Sequence, residues 1–336
     1  MAIGHLPRQA FGRHPKESVL DAQKATAQPH GVTTAATQFA FDPGASTAKS
    51  ADLRCLCRRG FQLATLGLAL LGAAGRANAA DDLKLAWQTN VLKITGDKLP
   101  GGTLDVWWLE AFCRQGSTKR PWHETTLTHT TELISADPKG QWLRLRSKVE
   151  PTAEVLQKLA VVKDGVELVV ELKNLGDAPA DLEWFEPCIH VDRFTGRQQT
   201  NYIERCFIFT ADGLTMLDQL ARNEEALYRG GQVYVPSGIN HDDVNPRPIS
   251  PVTPANGLIG CISSDNQYLL ATAWDKTQHL FQGVIVCIHS DPHVGGLKPH
   301  ETKKLRGKIY FMKNDPAKLL QQYQRDFAGQ ADNDNR

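Results

Sequence analysis

Two short runs carry the residue types that proton transfer or metal binding needs. His289-Ser290-Asp291-Pro292-His293 is the densest polar cluster in the chain. In an extended segment residues 289, 291 and 293 share one face, where two imidazoles and a carboxylate can hold a metal. Pro292 makes a regular strand there unlikely, and Gly295-Gly296 signals a loop, so the competing reading is a solvated strand exit that binds nothing. His190-Val191-Asp192 repeats the i, i+2 spacing of imidazole and carboxylate and is followed by Arg193. A neutral imidazole beside a carboxylate can move protons as general base and general acid. Its alternative is a histidine at the core's edge, hydrogen-bonded to backbone. The acid/base roles are assigned to His190, His289 and Asp291, with no metal and no other cofactor.

Two polar loops supply candidate substrate contacts. His241-Asp242-Asp243-Val244-Asn245-Pro246-Arg247 lies in a proline-rich excursion between Pro236 and Pro254. There Arg247 could clamp a substrate by paired hydrogen bonds, or Asx-turns could merely hold the loop together. The second loop holds Arg114, Lys119, Arg120, Trp122 and His123. Aromatic faces stack on the C–H faces of pyranose rings, and Trp122 and Trp274, both with charged neighbours, are expected to be exposed for this. Trp107, Trp108, Trp142 and Trp184 are expected in the core. The substrate-binding set is Arg114, Trp122, Asp192, Arg193, His241, Asp243, Arg247 and Trp274. No Gly-x-Ser-x-Gly elbow, phosphate-binding glycine loop or His-Glu-x-x-His occurs. Cys188 and Cys287 each stand two residues before a histidine, with no third partner visible for a thiol nucleophile.

The elements that must position these residues are strands. From Leu83 on, period-two runs recur between turn signals: 83–94, 103–112, 125–135, 141–149, 155–162, 166–172, 182–191, 206–210, 231–235, 257–263, 268–274, 283–289 and 304–311. Helical pattern is confined to 217–227 and to Pro316–Phe327, where Asp315 stands as N-cap and Pro316 as N1. So many strands with so few helices predict an all-β body, a large antiparallel β-supersandwich with a short C-terminal helix.

Gly165–His190 and Val284–Lys303 resemble the galactose-mutarotase-type supersandwich. The first is similar to the strand, turn and strand that carry that family's His-containing sugar motif. The second is similar to its late strand, which bears a catalytic carboxylate and leads into a Leu-x-Pro-Gly-Glu turn; here His300 replaces that glycine. The resemblance implies a concave sugar site. Pro187-Cys188-Ile189-His190 departs from the family's His-x-Tyr-Phe signature, and the late carboxylate would fall near His289 or Asp291 with no Glu present. The family's early Asn-His pair has no counterpart around Trp107–Arg120. The chain as a whole resembles an uncharacterised family of secreted bacterial proteins.

Lys+Arg 38 against Asp+Glu 37 exclude a nucleic-acid binder that works by bulk charge. Residues 1–50 lack any hydrophobic period and are expected to be disordered, or to be an extension that a start codon near Leu53 would omit. Arg58-Arg59-Gly60-Phe61, the apolar run Leu63–Ala74 and Ala77-Asn78-Ala79 have the order of a signal peptide at 51–79 of twin-arginine type. About twelve apolar residues are too few to span ~30 Å, so no permanent membrane anchor is expected. The expectation is a periplasmic or secreted protein with one domain at 80–336 that interacts with carbohydrate. It is either a mutarotase, epimerase or lyase-like enzyme, or a binding module or envelope accessory protein without chemistry.

Overall fold

Side chains that alternate between apolar and polar bury one face of each segment, and two such faces close on each other in a sandwich. The computed structural model describes residues 82–244 and 248–328. The expected extension at 1–50, the leader at 51–79 and Arg247 lie outside them.

The early strands β1 (Lys84–Gln88), β2 (Val91–Thr95) and β3 (Thr103–Cys113) form a meander, and β4 (His129–Ala136), β5 (Trp142–Val149), β6 (Ala153–Val162) and β7 (Gly165–Asn174) form another. Shorter strands follow: β8 (Trp184–His190), β9 (Cys206–Thr210), β10 (Gly213–Met216), β11 (Gln232–Tyr234) and β12 (Ile259–Ile262). The last four are β13 (Tyr268–Trp274), β14 (Thr277–Gln282), β15 (Cys287–Pro292) and β16 (Thr302–Lys313). Helices are brief: α1 (Trp122–Thr125), α2 (Asp192–Thr195), α3 (Glu224–Arg229) and the terminal α4 (Pro316–Asp326).

They assemble into two antiparallel sheets, one ordered β1-β2-β3-β8-β15-β14-β11 and one ordered β10-β9-β12-β13-β16-β7-β6-β5-β4. This is the expected supersandwich with a short terminal helix. Val106, Phe112, Phe185, Ile189, Leu280 and Ile288 from the seven-stranded sheet share one core with Leu145, Val155, Leu168, Leu270 and Ile309 from the nine-stranded sheet. Each such side chain contributes roughly 1.5–3 kcal/mol by leaving water, so this inner layer dominates stability.

The terminal helix begins as its residues dictate: the Asp315 side chain accepts from Lys318 N at 3.0 Å, and Pro316 opens the first turn. Leu319 packs on Phe207, Phe209 and Tyr310, on the outer face of the nine-stranded sheet. At the far end Asp326 receives Lys308 Nζ at 2.8 Å and the Tyr310 hydroxyl at 3.0 Å. Asp326→Ala is expected to lower stability by about 1–3 kcal/mol in urea unfolding, because Lys308 and Tyr310 are buried and lose an acceptor. An unchanged midpoint would show that the helix end is not held through this carboxylate.

Three local expectations change. The run 83–94 is a hairpin, since Thr89 and Asn90 take φ of 46° and 63° and reverse the chain. β14 was hidden because Thr277–Gln282 is buried on both faces and shows no alternation. β15 runs through Pro292, contrary to the expected loop, with Pro292 paired to Thr277 at the strand's end.

Candidate active site on the outer face of the seven-stranded sheet

Strand register decides which side chains meet. Cys287 pairs with His190 across β15 and β8, Trp107 with Cys188 across β3 and β8, and His279 with Asp291 across β14 and β15. Cross-strand partners project to one face. Trp107, Glu186, Cys188, His190, His279, Phe281, Cys287, His289 and Asp291 therefore share the face turned away from the core. His190 and His289 stand one diagonal apart on neighbouring strands, a separation of roughly 7–8 Å between backbones.

Glu110 joins this face through an irregularity. Between the pairs Trp107–Cys188 and Ala111–Glu186 the register shifts, and Leu109 sits at φ 51°. A bulge of this kind re-aims the side chains it carries. The Glu110 carboxyl reaches the Cys188 thiol and lies close to Glu186, His289 and Cys287.

The result is two layers. Trp107, Glu110 and His190 are half-buried and form the outer layer. Beneath them Glu186, Cys188, His279, Cys287, His289 and Asp291 are sealed from solvent. The His190 ring lies 4.5 Å from Trp107 between centroids, and its Nε2 is buried with no hydrogen-bond partner. His289 bridges the lower layer, with Nε2 3.3 Å from Cys287 Sγ and Nδ1 3.0 Å from Glu186 Oε1. His279 Nε2 lies 2.8 Å from Asp291 Oδ2. The two His–carboxylate contacts are close, yet neither is aligned as a hydrogen bond, and Glu186 Oε2 has no hydrogen-bond partner either.

Electrostatics follow from this crowding. Burial, then the neighbouring Glu186, pushes the Glu110 carboxyl up to about 8. Burial also lifts Glu186, against the pull of His289. Burial lowers His190 below the usual histidine range. For His289 burial opposes the charge, but Cys287 and Glu186 outweigh it and hold the ring protonated well above that range. Burial likewise opposes ionising Cys287, while the Cys188 hydrogen bond and His289 bring its thiol well below the ordinary value.

The predicted site residues divide accordingly. His190, His289 and Asp291 come together on one face, but His289 and Asp291 are 1% and 0% exposed. They lie beneath the half-buried Trp107, Glu110 and His190. His293 does not complete a face with them, since its Nδ1 lies 2.5 Å from Gln278 Oε1 and 3.4 Å from Glu183. Asp192 and Arg193 are exposed on α2, directly after His190, and Asp192 acts on the His190 ring.

The two polar loops meet each other. Gly116 N donates to Asp243 Oδ1 at 2.5 Å, Thr118 Oγ1 donates to Asp242 O at 2.8 Å, and Lys119 pairs with Asp242. Asn240 accepts from Asp242 N, the Asx-turn alternative. Asp243 is thus a tie between loops, with His241 exposed beside it and Arg114 half-buried at the start of the first loop. Trp122 stacks toward Trp184 at 6.5 Å, so this paired loop roofs the Trp184–His279 end of the lower layer. Trp274 is a correction: it is 1% exposed, packed edge-on to Phe185 at 5.3 Å inside the core. Its charged sequence neighbours belong to the turn that follows, and the side chain itself points inward from β13.

Trp107, Glu110, Glu186 and His279 escaped the sequence reading. The available signal was a lone acid inside an apolar run, as in Val106–Phe112 and Trp184–Ile189.

No protein-family model matches the chain, and no curated protein does. Solved structures of similar architecture include a galactose mutarotase-like protein from Lactobacillus casei, 7% identical with a TM-score of 0.36 over 68% of this chain and 99% of that one. A putative aldose 1-epimerase from Escherichia coli K12 is 9% identical, with a TM-score of 0.34 over 69% and 99%. An alpha-N-acetylgalactosaminidase from Bifidobacterium bifidum is 11% identical, with a TM-score of 0.42 over 73% and 38%. At such identities nothing about activity passes from them to this chain.

Proposed function

We propose that this protein is an exported enzyme that transfers protons at the anomeric centre of a sugar, using His190 and Glu110 of the outer layer and Trp107 as the surface on which the ring rests. The observation that carries this is the half-buried His190 ring, 4.5 Å from Trp107 between centroids and on the same side of the sheet as the Glu110 carboxyl. Opening a hemiacetal needs a base at the O1 hydroxyl and an acid at the ring oxygen, and closing it reverses the roles. Two titratable groups of different type, both half-buried on one face of the sheet, can supply both. An indole offers the pyranose an apolar face at low entropic cost. The resemblance of 165–190 and 284–303 to mutarotase segments directs the choice of sugar as substrate class.

The test is anomer exchange. Fresh α-anomers of hexoses and N-acetylhexosamines are added to the protein and followed by proton NMR; equilibration faster than the buffer rate is the expected result. Heat of binding in calorimetry with no faster equilibration would replace the enzyme by a binding module. Neither heat nor exchange across the panel would remove sugar as the ligand class. Export rests on residues 57–79, and the N-terminus of protein isolated from its native cell is expected at Ala80; an N-terminus upstream of that residue would refute cleavage there.

A further inference from the structure

We infer that Cys188, Cys287 and His289 form a metal site of zinc type, with the two thiolates and His289 Nε2 as ligands and Glu186 fixing the ring through Nδ1. This inference is independent of the sugar chemistry proposed above.

The three ligand atoms lie within 4.8 Å of one another, and all three residues are buried. Cys287 Sγ and His289 Nε2 are 3.3 Å apart. Around zinc, bonds of about 2.3 Å to sulfur and about 2.0–2.1 Å to nitrogen put neighbouring ligands roughly 3.5 Å apart. The observed spacing needs only a few tenths of an ångström of adjustment at that edge. The ligands also come from a stiff support: Cys287 and His289 are i, i+2 on β15, and Cys188 lies across from them on β8. Two soft sulfurs and an imidazole select zinc or another thiophilic ion over magnesium or calcium.

A second-shell carboxylate is within reach of the ring. A metal-bound histidine ordinarily gives its other ring nitrogen to a carboxylate, and Glu186 Oε1 stands 3.0 Å from His289 Nδ1. Without a metal this layer is poorly compensated. Oxygens of Glu186 and Asp291 are buried with no aligned hydrogen bond. A divalent cation supplies the missing positive charge.

The experiment uses the folded protein, purified without chelator from zinc-supplemented cells and, separately, loaded with Co(II) in place of zinc. Elemental mass spectrometry is expected to find a single zinc per chain that survives gel filtration. The cobalt protein is expected to show a thiolate-to-cobalt charge-transfer band and the intense visible bands of tetrahedral coordination. Cys188→Ser and Cys287→Ser should each abolish that band, whereas Cys206→Ser, in the nine-stranded sheet, should keep it. Glu186→Gln should weaken zinc affinity by about 10–100-fold. Since the cobalt spectrum is taken on the unmodified chain, a misfolded variant leaves the test intact. Wild-type protein that holds no zinc and gives no thiolate–cobalt band overturns the inference. So does a Cys188–Cys287 disulfide found by peptide mapping of protein from its native cell. Anomer exchange by wild-type protein that holds no zinc and gives no thiolate–cobalt band would leave the proposed function standing while this site falls.

Discussion

Replacing His190 by alanine is expected to slow anomer exchange by about 10²–10⁴-fold, the range lost when a positioned proton-transfer group is removed. The size follows from its placement. Of the described histidines on this face, His190 alone is half-buried while His279 and His289 are sealed, and bulk water cannot take the place of its ring. Imidazole added to the variant should restore part of the rate, because deletion leaves a cavity against Trp107 in the shape of the lost ring. A merely structural histidine would lose stability without such rescue. Glu110→Gln keeps the volume and removes the ionisable proton, so a comparable loss is expected with an unchanged thermal midpoint. Trp107→Ala, in contrast, should act mainly on KM, since the indole contacts sugar in ground and transition states alike. Wild-type rates from the His190→Ala and Glu110→Gln proteins would remove both groups from the chemistry.

Trp274→Ala is expected to destabilise the protein by about 3–5 kcal/mol, read as a lower urea midpoint with exchange per folded molecule unaltered. The ring is enclosed by Phe185 at 5.3 Å and Trp108 at 6.5 Å, and its fused atoms lie against Gly307, where a Cβ would come within 2.6 Å of them. Nothing polar rewards the site: Trp274 Nε1 is buried without a hydrogen-bond partner. The energy is therefore packing, and Trp274→Phe should cost less than alanine because it refills part of the space and removes the unpaired N–H. Loss of sugar turnover with stability intact would return Trp274 to the binding surface.

Much of the architecture was legible along the chain. Alternation in Trp142–Val149 and Ala153–Val162 yields strands wherever one face must leave water, and Asp315-Pro316 opens a helix by its own capping chemistry. These are local rules, satisfied within a few residues, so the all-β sandwich and its terminal helix follow from them. Even the cluster near 190 and 289 was visible as residue types.

Depth, partners and aim were not, because they depend on register between strands a hundred residues apart. The pairing of Cys287 with His190 places Cys188 against His289, and no pattern within either segment contains that alignment. The bulge at Leu109 delivers Glu110 to the same face, although Glu110 is the lone acid in an otherwise apolar run, Val106–Phe112. The docking of the 114–125 and 241–243 loops roofs part of the lower layer. Composition and periodicity determined that a sandwich forms; tertiary packing alone decided that His190 and Glu110 stay half-buried while His289 and Asp291 lie sealed beneath them. A side chain's distance from water is set by whatever closes over it, and that is a property of the whole fold.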